Sequence, residues 1–234
     1  TAWGVVINTQ DRWARNTDGI DPSSAKNVTI THSFINTGDD NVAIKAGSNG
    51  PSSNITISHN HFYRGHGVSI GSETNGGAHA IRVFDLSIDG ADNGLRIKSN
   101  ASRGGLVHDI EYKDVCIKRT KNVIEMDAFY TASPQTTGTL IPEFRDIRLQ
   151  NVRVLDAGNV ILQGYDVARM LRMSWDNVVF DSPSSITIKA KNAAITTGPG
   201  PMNLALSGAN VQTAGTTSAA PRLECEQRFV PFPR

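Results

Sequence analysis

The sequence is sparing with the features that often settle a fold class at once. Charged residues make up 19% of its 234 positions, aromatics only 6%, and the formal net charge is +1. A balance so close to zero excludes whole-molecule attraction to nucleic acid or to an anionic membrane, so any anion binding must come from a local cluster. No run of 18 apolar residues occurs, which excludes a membrane-spanning helix. Windows rich in Ala, Leu, Glu and Lys are nearly absent, and a helical bundle is thereby disfavoured. The two cysteines, Cys116 and Cys225, allow one disulfide or two free thiols, and their number does not choose between these. No leader segment is visible. The chain opens directly into the apolar run Trp3-Gly4-Val5-Val6-Ile7, reads as the middle of a folded unit, and is expected to be truncated there.

What is abundant is Gly, Asn, Ser, Thr, Ile and Val, the residues of strands and turns. They recur with a period. Short segments after each turn read Gly19-Ile20-Asp21, Asn41-Val42-Ala43-Ile44-Lys45, Gly67-Val68-Ser69-Ile70-Gly71, Gly94-Leu95-Arg96-Ile97-Lys98, Asn122-Val123-Ile124-Glu125-Met126 and Asn159-Val160-Ile161-Leu162-Gln163. Their apolar leaders Ile20, Val42, Val68, Leu95, Val123 and Val160 are separated by 22, 26, 27, 28 and 37 residues. The longest gap contains Ser133-Pro134 to Gly138, which reads as an inserted loop. A second strand signal keeps matching phase: Val28-Thr29-Ile30, Ile55-Thr56-Ile57, Ile81-Arg82-Val83 and Ile147-Arg148-Leu149. Two to three short strands per repeat leave no room for crossover helices. A solenoid of parallel β-coils follows, each burying an Ile/Val stripe against its neighbours, with an antiparallel sandwich as the competing arrangement. The coils are read as one domain over residues 1–234. The stretch 199–234, rich in Gly, Ala, Thr and Pro, reads as a last coil and an extended tail packed outside.

In such a solenoid equal phase means spatial stacking. Two positions before the aligned apolar residue stand Asp18, Asp40, His66 and Asn93, with Asp39 beside Asp40. Strand alternation turns Arg96, Lys98 and Lys45 to the outer face. Three carboxylates, an imidazole and three cations are therefore predicted to gather on one exposed patch. Crowded carboxylates raise one another's proton affinity, so one can stay protonated while another is ionised, as glycoside hydrolysis requires. Asp39 is expected to hold that proton, with Asp18 and Asp40 ionised. Taken singly, each piece has a plainer reading as a turn or a solvated charge; the common phase is what carries the inference. Asn27-Val28-Thr29, Asn54-Ile55-Thr56 and Asn100-Ala101-Ser102 match glycosylation sequons, but asparagine at the turns of a solenoid explains them equally well.

Asn16-Thr17-Asp18-Gly19, Gly38-Asp39-Asp40, Gly65-His66-Gly67 and Arg96-Ile97-Lys98 together resemble the four signature motifs of glycoside hydrolase family 28, in family order and spacing. The resemblance runs from about Trp3 to Pro233 and is nearest to bacterial members. It implies an all-β, right-handed, single-stranded parallel β-helix of polygalacturonase type, secreted and monomeric, that hydrolyses the α-1,4-galacturonan of pectin with inversion. It implies no metal or other cofactor. Residue by residue, Asp39 resembles the general acid, Asp18 and Asp40 the water-activating pair, and His66 the group that tunes the acid. Arg96 and Lys98 resemble binders of the substrate carboxylate; Lys45, Tyr130 and Asn16 resemble further substrate contacts. Family members carry additional N-terminal coils and a cap before the first motif, and the resemblance leads to the expectation that the chain is truncated ahead of it. Rival readings are a calcium-dependent pectate-lyase-like enzyme using Asp18, Asp39, Asp40 and Arg96, a rhamnogalacturonan-directed sibling, and a non-catalytic polysaccharide-binding solenoid.

Overall fold

A computed structural model of the chain describes residues 1–11, 14–131 and 138–233. Of the predicted inserted loop, Ser133 to Thr137 lie outside the described residues. Among those described, sixteen strands pair side by side, every pairing is parallel, and the one helical element is a 3-10 turn at Pro183–Ser185. The architecture is a parallel β-helix.

The site-bearing sheet runs through Val42–Ile44, Val68–Gly71, Asn93–Lys98, Asn122–Asp127, Gly158–Gln163 and Ile186–Thr197. Register stacks Val42 on Val68, Leu95, Ile124 and Val160, and a second rung carries Ile44, Ile70, Ile97 and Met126. These side chains are buried together, so the stripe supplies the continuous apolar interior that no coil could supply alone. The sequence alignment is off by one at the fifth rung: Ile124, not Val123, faces Leu95. The register shifts between Asn122 and Ile124, a bulge that Val123 occupies while remaining buried.

The second and third strands of each coil are fused into long strands such as Ser52–Arg64, Ala78–Asp89 and Leu106–Lys118. Each fused strand turns a corner at a left-handed residue, His59, Asp85, Asp114 and Asn151 all with φ between 51 and 54°, and carries a further one nearer its start at Asn54, Ala80, Asp109 and Asp146. Short polar side chains tolerate this conformation better than β-branched ones, which explains a corner without Gly or Pro. Asn27 and Asn54 occupy a similar left-handed ladder and are joined side chain to side chain at 2.6 Å, so they serve the coil turns as read.

Beyond residue 199, Ala209–Gly215 adds a parallel strand to Ile186–Thr197, and the rest of the tail runs along the outside. It is fastened there by the disulfide Cys116–Cys225, by Tyr63 Oη donating to Val230 O at 2.8 Å, and by Arg228 pairing with Asp85 at 2.6 Å.

Candidate functional site

The site sits where the turns before the central strands meet their outward faces. Gly65 and Gly67 flank His66 in left-handed conformation. A Cβ on Gly67 would lie 2.1 Å from Gly94 O and one on Gly65 2.4 Å from Thr37 Oγ1, so only glycines let the His66 turn close onto its neighbours. The imidazole is thereby delivered to Asp39 and Asp40 of the preceding coil.

Asp40 is 2% exposed and surrounded by donors. Lys98 Nζ donates to Oδ2 at 2.8 Å and Ser69 Oγ to Oδ1 at 2.6 Å, while Arg96 Nη1 and His66 Nδ1 each lie 3.6 Å from Oδ1. Burial is the largest influence and pushes the carboxyl up, but His66, Lys98 and Arg96 together outweigh it and hold it below the usual carboxylate range. Asp39 receives the backbone N–H of Asn16 at 3.0 Å and that of Asp40 at 2.9 Å. His66 Nδ1 stands 3.0 Å from its Oδ1 in an ion pair. His66 first, then the backbone donors, hold Asp39 well down despite its partial burial. Burial alone would depress His66; its contacts with Asp39 and Asp40 win and raise it to about 9.

The expectation that Asp39 carries the proton is therefore corrected for the free chain. Two backbone N–H donors and the His66 imidazole hold Asp39 below its usual range while His66 is raised, so the proton is favoured on His66. Two anionic neighbours and burial, partly offset by His66, were expected to keep it on Asp39. A second correction concerns Arg96 and Lys98. Both project from the outer face, yet each is only 6% exposed. Tyr130 covers them, its ring centre 5.1 Å from the Arg96 guanidinium and 5.2 Å from Lys98 Nζ. Outward from a coil is not the same as open to solvent.

Asp18 belongs to an adjoining cluster. Lys45 Nζ donates to Asp18 at 3.0 Å and to Asp21 at 2.5 Å. Burial raises Asp21 to about 6, and the pair of carboxylates, against the effect of burial, holds Lys45 above its ordinary value. Among the described residues no side-chain hydrogen bond or ion pair joins this cluster to Asp39, Asp40 or His66. Asn16, read as a substrate contact, contributes its backbone N–H to Asp39.

Three residues take part that were not read as site residues in the sequence, although Ser69 was read as outward-facing beside Arg96. Ser69 holds Asp40, Asp21 shares Lys45, and Glu125 faces Arg96 Nε at 3.4 Å, its carboxyl raised by burial. Register would have revealed two of them, since Ser69, Arg96 and Glu125 form one outward rung. Asp39, Asp40 and His66 bring one potential ligand atom each within 4.8 Å of one another, a grouping able to hold a metal ion. Lys98 and Arg96 already supply positive charge to Asp40, which opposes a cation there.

Comparison with known proteins places this constellation in context. The family model described as glycosyl hydrolases family 28 matches residues 1–199. A polygalacturonase of Ralstonia solanacearum is 40% identical over 248 residues, covering 93% of this chain and 45% of that protein. An endo-polygalacturonase of Pectobacterium carotovorum subsp. carotovorum is 43% identical over 190 residues, covering 81% and 46% respectively. The solved polygalacturonase from Erwinia carotovora ssp. carotovora superposes with a TM-score of 0.67 at 34% identity, covering 94% of this chain and 50% of that one. The chain thus spans about half the length of the relatives it matches.

Proposed function

The chain belongs to glycosyl hydrolases family 28, and on that premise we propose that it is the catalytic part of a pectin-degrading polygalacturonase, endo-acting and extracellular. The observation that carries the reading is the cluster in which His66 touches Asp39 and Asp40 while Lys98 and Arg96 neutralise Asp40. Such a site holds a mobile proton next to two carboxylates and offers cations to an acidic sugar. The names of the relatives and the disulfide, a bond suited to oxidising surroundings, support the compartment and substrate.

In this reading the galacturonate carboxylate approaches Lys98 and Arg96 and competes with Asp40 for them. Proton affinity of the carboxylates then rises, and the proton on His66 Nδ1 passes to Asp39 Oδ1 across the 3.0 Å contact. Asp39 next gives it to the glycosidic oxygen as the bond to the anomeric carbon breaks. Water attacks that carbon from the opposite side and yields its own proton to Asp40 or Asp18.

The test is release of reducing ends from polygalacturonate, with neutral galactan as control. Activity on the acidic polymer that disappears in Asp40→Asn supports the reading; no activity on it, or equal activity on both polymers, refutes it. Early products forming a ladder of oligomers mark endo action, whereas monomer or dimer alone would overturn that part.

A further inference from the structure

The outer face continues past the site toward the C-terminal coils, and its character changes. Lys98 is followed in register by Asp127, Gln163 and Lys191, so Lys191 lies three strands away, about 14 Å at an inter-strand spacing of about 4.8 Å. Two residues after Asp127 and Gln163 the chain places Phe129 and Tyr165, whose rings stack with centres 5.5 Å apart and planes 12° from parallel. Phe129 is 41% exposed. Its backbone is fastened: its N–H donates to Asp127 Oδ1 at 2.8 Å, and Ala128 N and Tyr130 N are bonded to Gln163 O and Ser99 O. Lys191 Nζ sits 5.7 Å from the Phe129 ring centre and the Arg169 guanidinium 5.5 Å from that of Tyr165. Arg169 is already paired with Asp166, but among the described residues Lys191 and its neighbour Lys189 on the same face have no carboxylate in ion-pair range. A hollow of about 390 Å³ opens beside the rings, lined by Asn100, Ala101, Ala128, Phe129, Thr131 and Tyr165.

We propose that Phe129, Tyr165 and Lys191 form an additional binding subsite for an acidic sugar unit, one or more residues along the polymer from the cleavage point. This rests on the function proposed above and extends it. An exposed, rigidly held aromatic face suits the C–H face of a pyranose ring, and an unpaired ammonium beside it suits the uronate carboxylate. Phe129 stands exposed on the outer face, stacked on Tyr165, which itself packs partly against the apolar interior, and among the described residues Lys191 has no ion pair. A neutral sugar would satisfy the ring but not the ammonium, which makes the subsite selective for uronates.

The experiment is calorimetric binding of a galacturonate oligomer of six or more units to the full chain, with turnover suppressed by Asp39→Asn in every sample. Lys191→Gln, which keeps the stem, should raise Kd about threefold, the scale of an exposed charge contact. Adding Phe129→Leu, which keeps apolar bulk but removes the ring face, should bring the loss to about tenfold, with Tm unchanged. Wild-type affinity in the double variant overturns the subsite. Should the double variant misfold, unaltered affinity and salt dependence in Lys191→Gln alone would overturn it. Failure of the Asp39→Asn parent to bind the oligomer at all counts against the substrate class proposed above, and so is distinguishable from failure of the subsite.

Discussion

Lys98→Ala tests the most consequential feature of the site, that a cation expected to wait in solvent is in fact buried against a buried anion. Asp40 is 2% exposed and Lys98 6%, with 2.8 Å between Nζ and Oδ2. Removing one member of such a pair typically costs about 3–5 kcal/mol, because the remaining charge is left without compensation. Asp40 keeps Ser69 at 2.6 Å and has Arg96 and His66 at 3.6 Å, so a loss of about 2–3 kcal/mol is expected here. For a chain of this size that corresponds to a fall in Tm of about 4–12 °C. The sign with pH follows from Asp40 being held below its ordinary value. Its stabilising contribution is present above the ordinary carboxylate range and is lost as pH falls through the lowered folded-state value, so the gap between wild type and Lys98→Ala should close on acidification. Urea melts of Lys98→Ala, Asp40→Asn and the double variant provide the assay, with a coupling of about 1–2 kcal/mol between the two positions. Loss of activity with a Tm within a degree of wild type, and no coupling, would refute the argument and return Lys98 to the role of a purely solvent-facing substrate contact.

His66 is raised from 6.5 to about 9, so the stability it contributes is fully present below about pH 6.5 and is lost as pH rises toward 9. Melting curves between these limits should show a decline of roughly 1–2 kcal/mol that is absent in His66→Asn, and turnover should fall over the same window. Asp39→Asn should lower kcat by about 10²–10⁴-fold with little change in KM, and a substrate with a good leaving group should restore it; rescue of Asp40→Asn in its place would mean that acid and base are exchanged. The disulfide closes a sequence separation of 109 residues, and replacing Cys116 and Cys225 by Ser should destabilise by roughly 2–5 kcal/mol, read as a lower urea midpoint with the strand signal retained.

Much of this molecule was legible because a solenoid converts periodicity into position. Val42, Val68 and Leu95 stack as their spacing required, and the same phase brought Asp40 and His66 into contact. Val123 was misplaced because two apolar residues follow Asn122, and only the bulge decides which of them faces Leu95. The corners at His59, Asp85 and Asp114 were missed because a single left-handed polar residue leaves no Gly or Pro mark. Alternation gave the direction of Arg96 and Lys98 correctly but not their burial, which depends on Tyr130 folding back from a later turn. The proton was misassigned for a related reason. Counting carboxylates predicted repulsion, whereas the backbone N–H groups of Asn16 and Asp40, which carry no side-chain signature, make Asp39 a comfortable anion.

The proposed reaction is hydrolysis by a carboxylate–imidazole cluster rather than elimination assisted by calcium. Digestion of polygalacturonate in excess chelator, with reducing ends and unsaturated products followed together, tests this most directly. Hydrolysis gives reducing ends at the full rate, no double-bond absorbance, and loss of both rate and product in His66→Ala and Asp40→Asn. Unsaturated products, or a rate abolished by the chelator and restored by calcium, would contradict it.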